Sequence, residues 1–132
     1  MTSRGGSNAM RALVIDDDEI ACELMASLLE GVSWQVHRLP SPIGATKLIV
    51  DKRIHVVVAD LMMPDISGDK FARLLRGNPR IAKVGIVLIS SSGSELDRAG
   101  MDNGIDAIVH KGDARNRLVP AVREAYRRRG GA

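Results

Sequence analysis

The chain has 132 residues, 45% hydrophobic and 27% charged, with a formal charge of +3. That is one domain of ordinary globular composition, which excludes a chain disordered throughout, and there is no run of about 18 apolar residues to span a membrane. One cysteine, Cys22, excludes a disulfide framework and a cysteine-only zinc site, and three aromatic residues leave little for stacking single-stranded nucleic acid.

The chain's elements come in a regular order. Met1–Ala9 is small and polar, and Ser7-Asn8-Ala9 before Met10 reads as a cloning remnant or a disordered N-terminus. The domain is expected over 10–128, with 129–132 a basic, glycine-rich tail or the start of a linker. Ala12–Ile15 is a short apolar strand that ends in acid. Ile20–Leu29 has helical spacing and stops at Gly31. Trp34–Leu39 is a second strand, and Pro40 and Pro42 separate it from a helical pattern over Ile43–Val50. His55–Ala59 is a β-branched strand ending at Asp60. Pro64 and Gly68 bracket a loop, and a helix through Phe71–Leu75 ends at Gly77-Asn78-Pro79. Val84–Ile89 is a fourth strand, Leu96–Met101 a short helix, Ala107–Val109 a fifth strand and Leu118–Tyr126 a final helix.

Five strands alternating with five helices predict an α/β fold with a parallel sheet covered on both faces, because runs such as Val56-Val57-Val58 suit strands buried on both sides. Ligands of such sheets bind at the carboxyl ends of the strands. Those ends carry Asp16-Asp17-Asp18-Glu19, Asp60, Ser90 and His110-Lys111. Taken singly, the acids suit a helix N-cap, Ser90 a turn and Lys111 the surface. Together they form a chemical set. Converging carboxylates repel one another and favour a hard divalent cation such as Mg²⁺. A carboxylate beside that ion can attack phosphorus, with Lys111 and the Ser90 hydroxyl steadying the transferred charge.

The strings Val14-Ile15-Asp16-Asp17-Asp18, Val58-Ala59-Asp60-Leu61-Met62-Met63-Pro64-Asp65-Ile66-Ser67-Gly68, Val87-Leu88-Ile89-Ser90-Ser91 and His110-Lys111 resemble the receiver domain of bacterial response regulators, the CheY-like modules of two-component signalling. The resemblance covers residues 11–128. It implies a doubly wound, flavodoxin-like (βα)5 fold with strand order 2-1-3-4-5. It implies Asp60 as phosphoacceptor, Asp17 as the main Mg²⁺-binding acid with Asp16 beside it, and the backbone carbonyl of Met62 as a further ligand. Ser90 matches the hydroxyl position and Lys111 the phosphate-pairing lysine. The implied activity is phosphoryl uptake from a sensor histidine kinase or a histidine phosphotransfer protein, with no turnover of an external substrate. The implied readout surface is the face of the Leu96–Met101 helix, the fifth strand and the final helix (roughly residues 94–128), where an output partner or a second copy would bind.

Two positions depart from the family pattern. Ile108 stands where many members carry Tyr or Phe, so the usual coupling of ring and hydroxyl at the switch positions Ser90 and Ile108 has no ring to use. Gly112 follows the lysine where the family often has proline in a cis bond, and a cis bond before glycine would cost about 2.5–4 kcal/mol. These departures leave the phosphoryl chemistry in place and open an alternative, a pseudo-receiver that docks partners without phosphorylation. A haloacid dehalogenase-type phosphatase could use Asp16-Asp17-Asp18. It needs a further acidic pair after the lysine, where only Asp113 and Glu124 occur, and it leaves Asp60 without a role. Met62 is expected to lean over Asp60 and slow hydrolysis of the aspartyl phosphate.

The remaining residues are expected to be structural. His37 and His55 should not converge on a metal, and His110 should point away from the lysine. Cys22, Met25 and Met101 should pack in the interior, and Trp34 should be a packed edge residue. Residues 121–132 carry four arginines (Arg123, Arg127, Arg128, Arg129) against Glu124, so the whole surplus of three lies in the tail. There it suits a helix C-terminus rather than nucleic acid or a membrane. No charged-then-apolar leader opens the sequence, which makes the reducing cytoplasm the expected compartment.

Overall fold

The computed structural model describes residues 9–91 and 104–129. The strands are β1 (Arg11–Ile15), β2 (Gln35–Leu39), β3 (Val56–Asp60), β4 (Gly85–Ser90) and β5 (Ala107–His110). The helices are α1 (Glu19–Glu30), α2 (Ala45–Lys52), α3 (Gly68–Arg76) and α4 (Ala114–Arg128), with a 3-10 turn over Lys111–Asp113. The helix expected at Leu96–Met101, and Met101 with it, lies outside the described residues.

All strand pairs are parallel and the order is β2-β1-β3-β4-β5, the predicted topology. Successive side chains on a strand face opposite sides. Leu13, Ile15, Val57, Ala59, Ile86 and Leu88 therefore pack one core with α2 and α3, and Ala12, Val14, Val56, Val58, Val87 and Ile89 pack the other with α1 and α4. β3 and β4 are buried along their whole length, and burying each such apolar side chain contributes roughly 1.5–3 kcal/mol. Cys22, Met25, Ala26 and Leu29 form the buried stripe of α1, and Trp34 is buried beside them, 5.8 Å edge-on from Tyr126.

The start of α4 is a correction to the sequence reading. The helix begins at Ala114, four residues before Leu118, and runs through Pro120. Arg115, Asn116 and Arg117 are exposed and mask the periodicity there. Pro120 lacks an N–H for the Asn116 carbonyl, but both residues face solvent, which can serve that carbonyl instead.

Candidate functional site

The register aligns the strand ends. Asp60 closes β3 beside Ile89, Ser90 closes β4 beside His110, and Asp16 follows β1 with its N–H donating to the Leu39 carbonyl at 3.1 Å. The carboxyl edge of the sheet thus holds three acids together. One carboxylate oxygen from each of Asp16, Asp17 and Asp60 lies within 4.8 Å of the other two.

The acidic run at the end of β1 divides its work. Asp18 is the N-cap of α1, and its carboxylate accepts from the Ile20 and Ala21 N–H groups at 3.0 and 3.3 Å. Asp16 is 2% exposed; its Oδ1 accepts from the Asp18 N–H at 2.9 Å. Its Oδ2 is buried with no hydrogen-bond partner. Burial raises the Asp16 pKa most. The Asp18 N–H and Lys111 pull it down, the charges of Asp60 and Asp17 push it up, and the net shift is upward. Asp17 is exposed at the mouth of the site.

Asp60 is buried. Its Oδ1 accepts from the Met62 N–H at 2.9 Å, and its Oδ2 accepts from Lys111 Nζ at 3.1 Å. Lys111 Nζ also lies 3.7 Å from Asp16 Oδ2. Burial works against the Lys111 ammonium, but its hydrogen bond and attraction to Asp60, with Asp16 and Asp18 behind, prevail and raise its pKa. The loop after Asp60 is fixed by two further backbone bonds, Leu61 N–H to the Ile89 carbonyl at 2.8 Å and Gly68 N–H to the Leu61 carbonyl at 2.7 Å. Gly68 is needed there, because a Cβ would fall 2.9 Å from the Asp60 carbonyl oxygen and from Leu61 Cα.

Ser90 is fully buried at the end of β4. The Met62 side chain is 63% exposed. Ile108 is half-buried, opposite Leu88 in the sheet, and packs against the core shared with α2 and α3. The described residues contain no cis peptide bond. His110 is exposed, and no histidine joins the acidic group. His55 lies at the opposite end of the sheet, where its Nδ1 accepts from the Arg11 N–H at 3.0 Å.

This donor set fits a hard divalent cation. It is all oxygen, it gathers three carboxylates, and it leaves one buried carboxylate oxygen without a hydrogen-bond partner among the described residues. An ion there would satisfy that oxygen and relieve the mutual repulsion of the acids.

The family model for the response regulator receiver domain matches residues 12–123. The chain belongs to that family. Among curated relatives it is 27% identical over 114 residues to the gliding motility regulatory protein of Myxococcus xanthus, a match covering 86% of this chain and 15% of that protein. It is 25% identical over 123 residues to the transcriptional regulatory protein GltR of Pseudomonas aeruginosa, covering 92% of this chain and 51% of that one. The chain therefore spans about half, or much less, of these relatives' length. Similar solved structures include a sensor protein from Polaromonas sp. JS666, with TM-score 0.85, 21% identity and 92% and 98% of the two chains covered. The chemotaxis protein CheY4 of Vibrio cholerae superposes with TM-score 0.80 at 18% identity, covering 89% and 98%. Among the described residues no helix is long and apolar enough to cross a membrane.

Proposed function

We propose that this receiver domain takes a phosphoryl group from a phosphohistidine donor onto Asp60 and thereby switches a partner-binding face. The observation that carries this reading is the convergence of Asp16, Asp17 and Asp60 with the Lys111 ammonium on Asp60 Oδ2.

In the proposed reaction a carboxylate oxygen of Asp60 attacks the donor's phosphorus. An O–P bond forms, the N–P bond breaks, and the donor imidazole leaves with its electron pair and takes up a proton. Asp16, Asp17, Asp60 and the Met62 backbone carbonyl would hold Mg²⁺. When bound, that ion supplies positive charge to the phosphoryl oxygens and to the crowded acids. Lys111 supplies a second cation at 3.1 Å from Asp60. The Met62 N–H holds Asp60 Oδ1 in place, and Ser90 offers a hydroxyl at the adjacent strand end. The new group adds about −1.5 to −2 charge at pH 7. Ser90 and Lys111 would move to meet it, which biases the surface of β5 and α4 toward one partner-binding state. The donor is a sensor histidine kinase or a histidine phosphotransfer protein, and the reader of that surface is an output partner or a second copy of the chain.

The test is intact-mass spectrometry after incubation with acetyl phosphate and Mg²⁺. Wild type gains one phosphoryl group and folded Asp60→Asn gains none. A folded wild type that takes up no phosphoryl group would overturn the reading and leave phosphorylation-independent docking in its place.

A further inference from the structure

The amino end of the sheet, opposite the acids, carries a cleft of about 720 Å³. Its walls come from the start of β1, the end of α2, the loop between α3 and β4, and the last turns of α4. Its cationic wall is Arg11, Arg53, Arg80, Lys83 and Arg129, and among the described residues no acid lines it. Its floor is apolar, with Ile49, Ile54, Ile81 and Val84. Tyr126 and His55 stand at one side with ring centroids 5.2 Å apart, edge to face.

Local structure accounts for some of this charge. Arg11 donates from Nε to the Lys52 and Arg53 carbonyls at the end of α2, at 3.1 and 2.9 Å. Arg129 pairs with buried Asp106 at 2.8 Å. That single carboxylate already serves Arg76 at 3.1 Å and Arg128 at 3.7 Å, so the corner keeps a positive surplus. Arg53, Arg80 and Lys83 are exposed and form no salt bridge among the described residues, although Arg80 is close enough to Asp51 to help lower that carboxyl's pKa. Arg80 and Lys83 come from a loop, so no helix terminus explains them. Arg53 is held in the left-handed region at φ +53, a position that usually goes to glycine.

We infer that this cleft binds a small ligand that joins clustered phosphoryl groups to a flat aromatic ring with apolar faces, the chemistry of a nucleoside diphosphate. The volume suits a small molecule, and the walls combine an apolar floor and rings with cations, of which Arg53, Arg80 and Lys83 form no salt bridge among the described residues. Arg53, Arg80 and Lys83 would take the phosphoryl oxygens. The ring would lie along the floor by Tyr126. This site is separate from Asp60 and does not depend on phosphoryl transfer.

The test is calorimetric titration of the whole chain with ADP in EDTA at about 150 mM NaCl, where bare surface charge is largely screened. Adenosine, inorganic pyrophosphate, a polyglutamate peptide and a single-stranded oligonucleotide serve as comparison ligands. The expected result is saturable one-to-one ADP binding, with adenosine and pyrophosphate each weaker by about tenfold or more. The double variant Arg80→Ala/Lys83→Ala, whose side chains are exposed and form no salt bridge among the described residues, should weaken ADP by a similar factor. Its circular dichroism and its phosphoryl uptake from acetyl phosphate should be unchanged. Binding that does not saturate, or that the double variant leaves intact, would overturn the inference. So would pyrophosphate binding as tightly as ADP, which would mark a bare anion patch. Tighter binding of the peptide or the oligonucleotide would also overturn it, in favour of a macromolecular surface.

Discussion

Lys111 Nζ lies 3.1 Å from Oδ2 of Asp60 and 3.7 Å from Oδ2 of Asp16, so one ammonium at the end of β5 ties together acids from the ends of β1 and β3. The cation offsets carboxylate repulsion while no metal is bound, and it competes with a metal for the same oxygens. Lys111→Ala should therefore bind Mg²⁺ at least as tightly as wild type, measured by calorimetry. Its rate of phosphoryl uptake from acetyl phosphate should fall by about tenfold or more, since a charge-assisted contact to the transferred group is lost. Weaker Mg²⁺ binding together with normal uptake would contradict this reading of the contact.

Asp16 shows what the acids cost the fold. Its pKa is raised, chiefly by burial, so the folded state disfavours the ionised carboxyl that neutral pH imposes. In EDTA at pH 7, Asp16→Asn should melt no lower than wild type. Mg²⁺ should raise the melting temperature of wild type by several degrees and that of the variant much less, because a ligand bound only by the native state stabilises it. An equal Mg²⁺ response in the two proteins would exclude Asp16 from the metal site.

Gly68 fixes the loop behind Asp60 by closeness rather than by an unusual backbone angle. An added Cβ would meet backbone atoms of Asp60 and Leu61 at 2.9 Å, and backbone has little freedom to retreat. Gly68→Ala should lower stability by about 1–3 kcal/mol, read from the urea midpoint. It should also slow phosphoryl uptake, since the displaced atoms carry the acceptor. Wild-type values for both would mean that the loop yields more easily than its contacts indicate.

His55 supplies a pH dependence. Its pKa is lowered, first by burial and then by the charge of Arg11, and its Nδ1 must stay unprotonated to accept the Arg11 N–H. The unfolded chain therefore binds this proton more readily than the native one. The stability His55 contributes is present above about pH 6.5 and is lost as pH falls through and below that value. His37 is shifted the same way, by burial and then Lys52. Urea midpoints should fall between pH 7 and pH 5, and His55→Gln should flatten that slope. A slope that His55→Gln leaves unchanged would assign the dependence to other groups.

The candidate site was legible because each of its parts sits in a short local string at a strand end. The apolar runs place Asp16, Asp60, Ser90 and Lys111, and the parallel topology then brings those ends together without information from elsewhere. Three features were not legible. The Asp106 cluster joins Arg76, 30 residues away, and Arg129, 23 residues away, through a carboxylate that also accepts the Ile86 N–H. Only packing reveals such a partnership, and in sequence Asp106 is a single acid before a short strand. The start of α4 was hidden by exposed arginines and Pro120, where solvent rather than an apolar stripe accommodates the helix. Within the acidic run, composition alone did not separate Asp18, which caps α1, from Asp16 and Asp17, whose carboxylates gather with that of Asp60.

The most direct test of the account maps where the phosphoryl group goes. The protein is exposed to acetyl phosphate and Mg²⁺, reduced with borohydride to convert an aspartyl phosphate to homoserine, digested and sequenced by mass spectrometry. The account predicts homoserine at Asp60 alone, and none when Mg²⁺ is removed by EDTA. Homoserine at Asp16 or Asp17, or at no position in a folded and Mg²⁺-supplied protein, would contradict it.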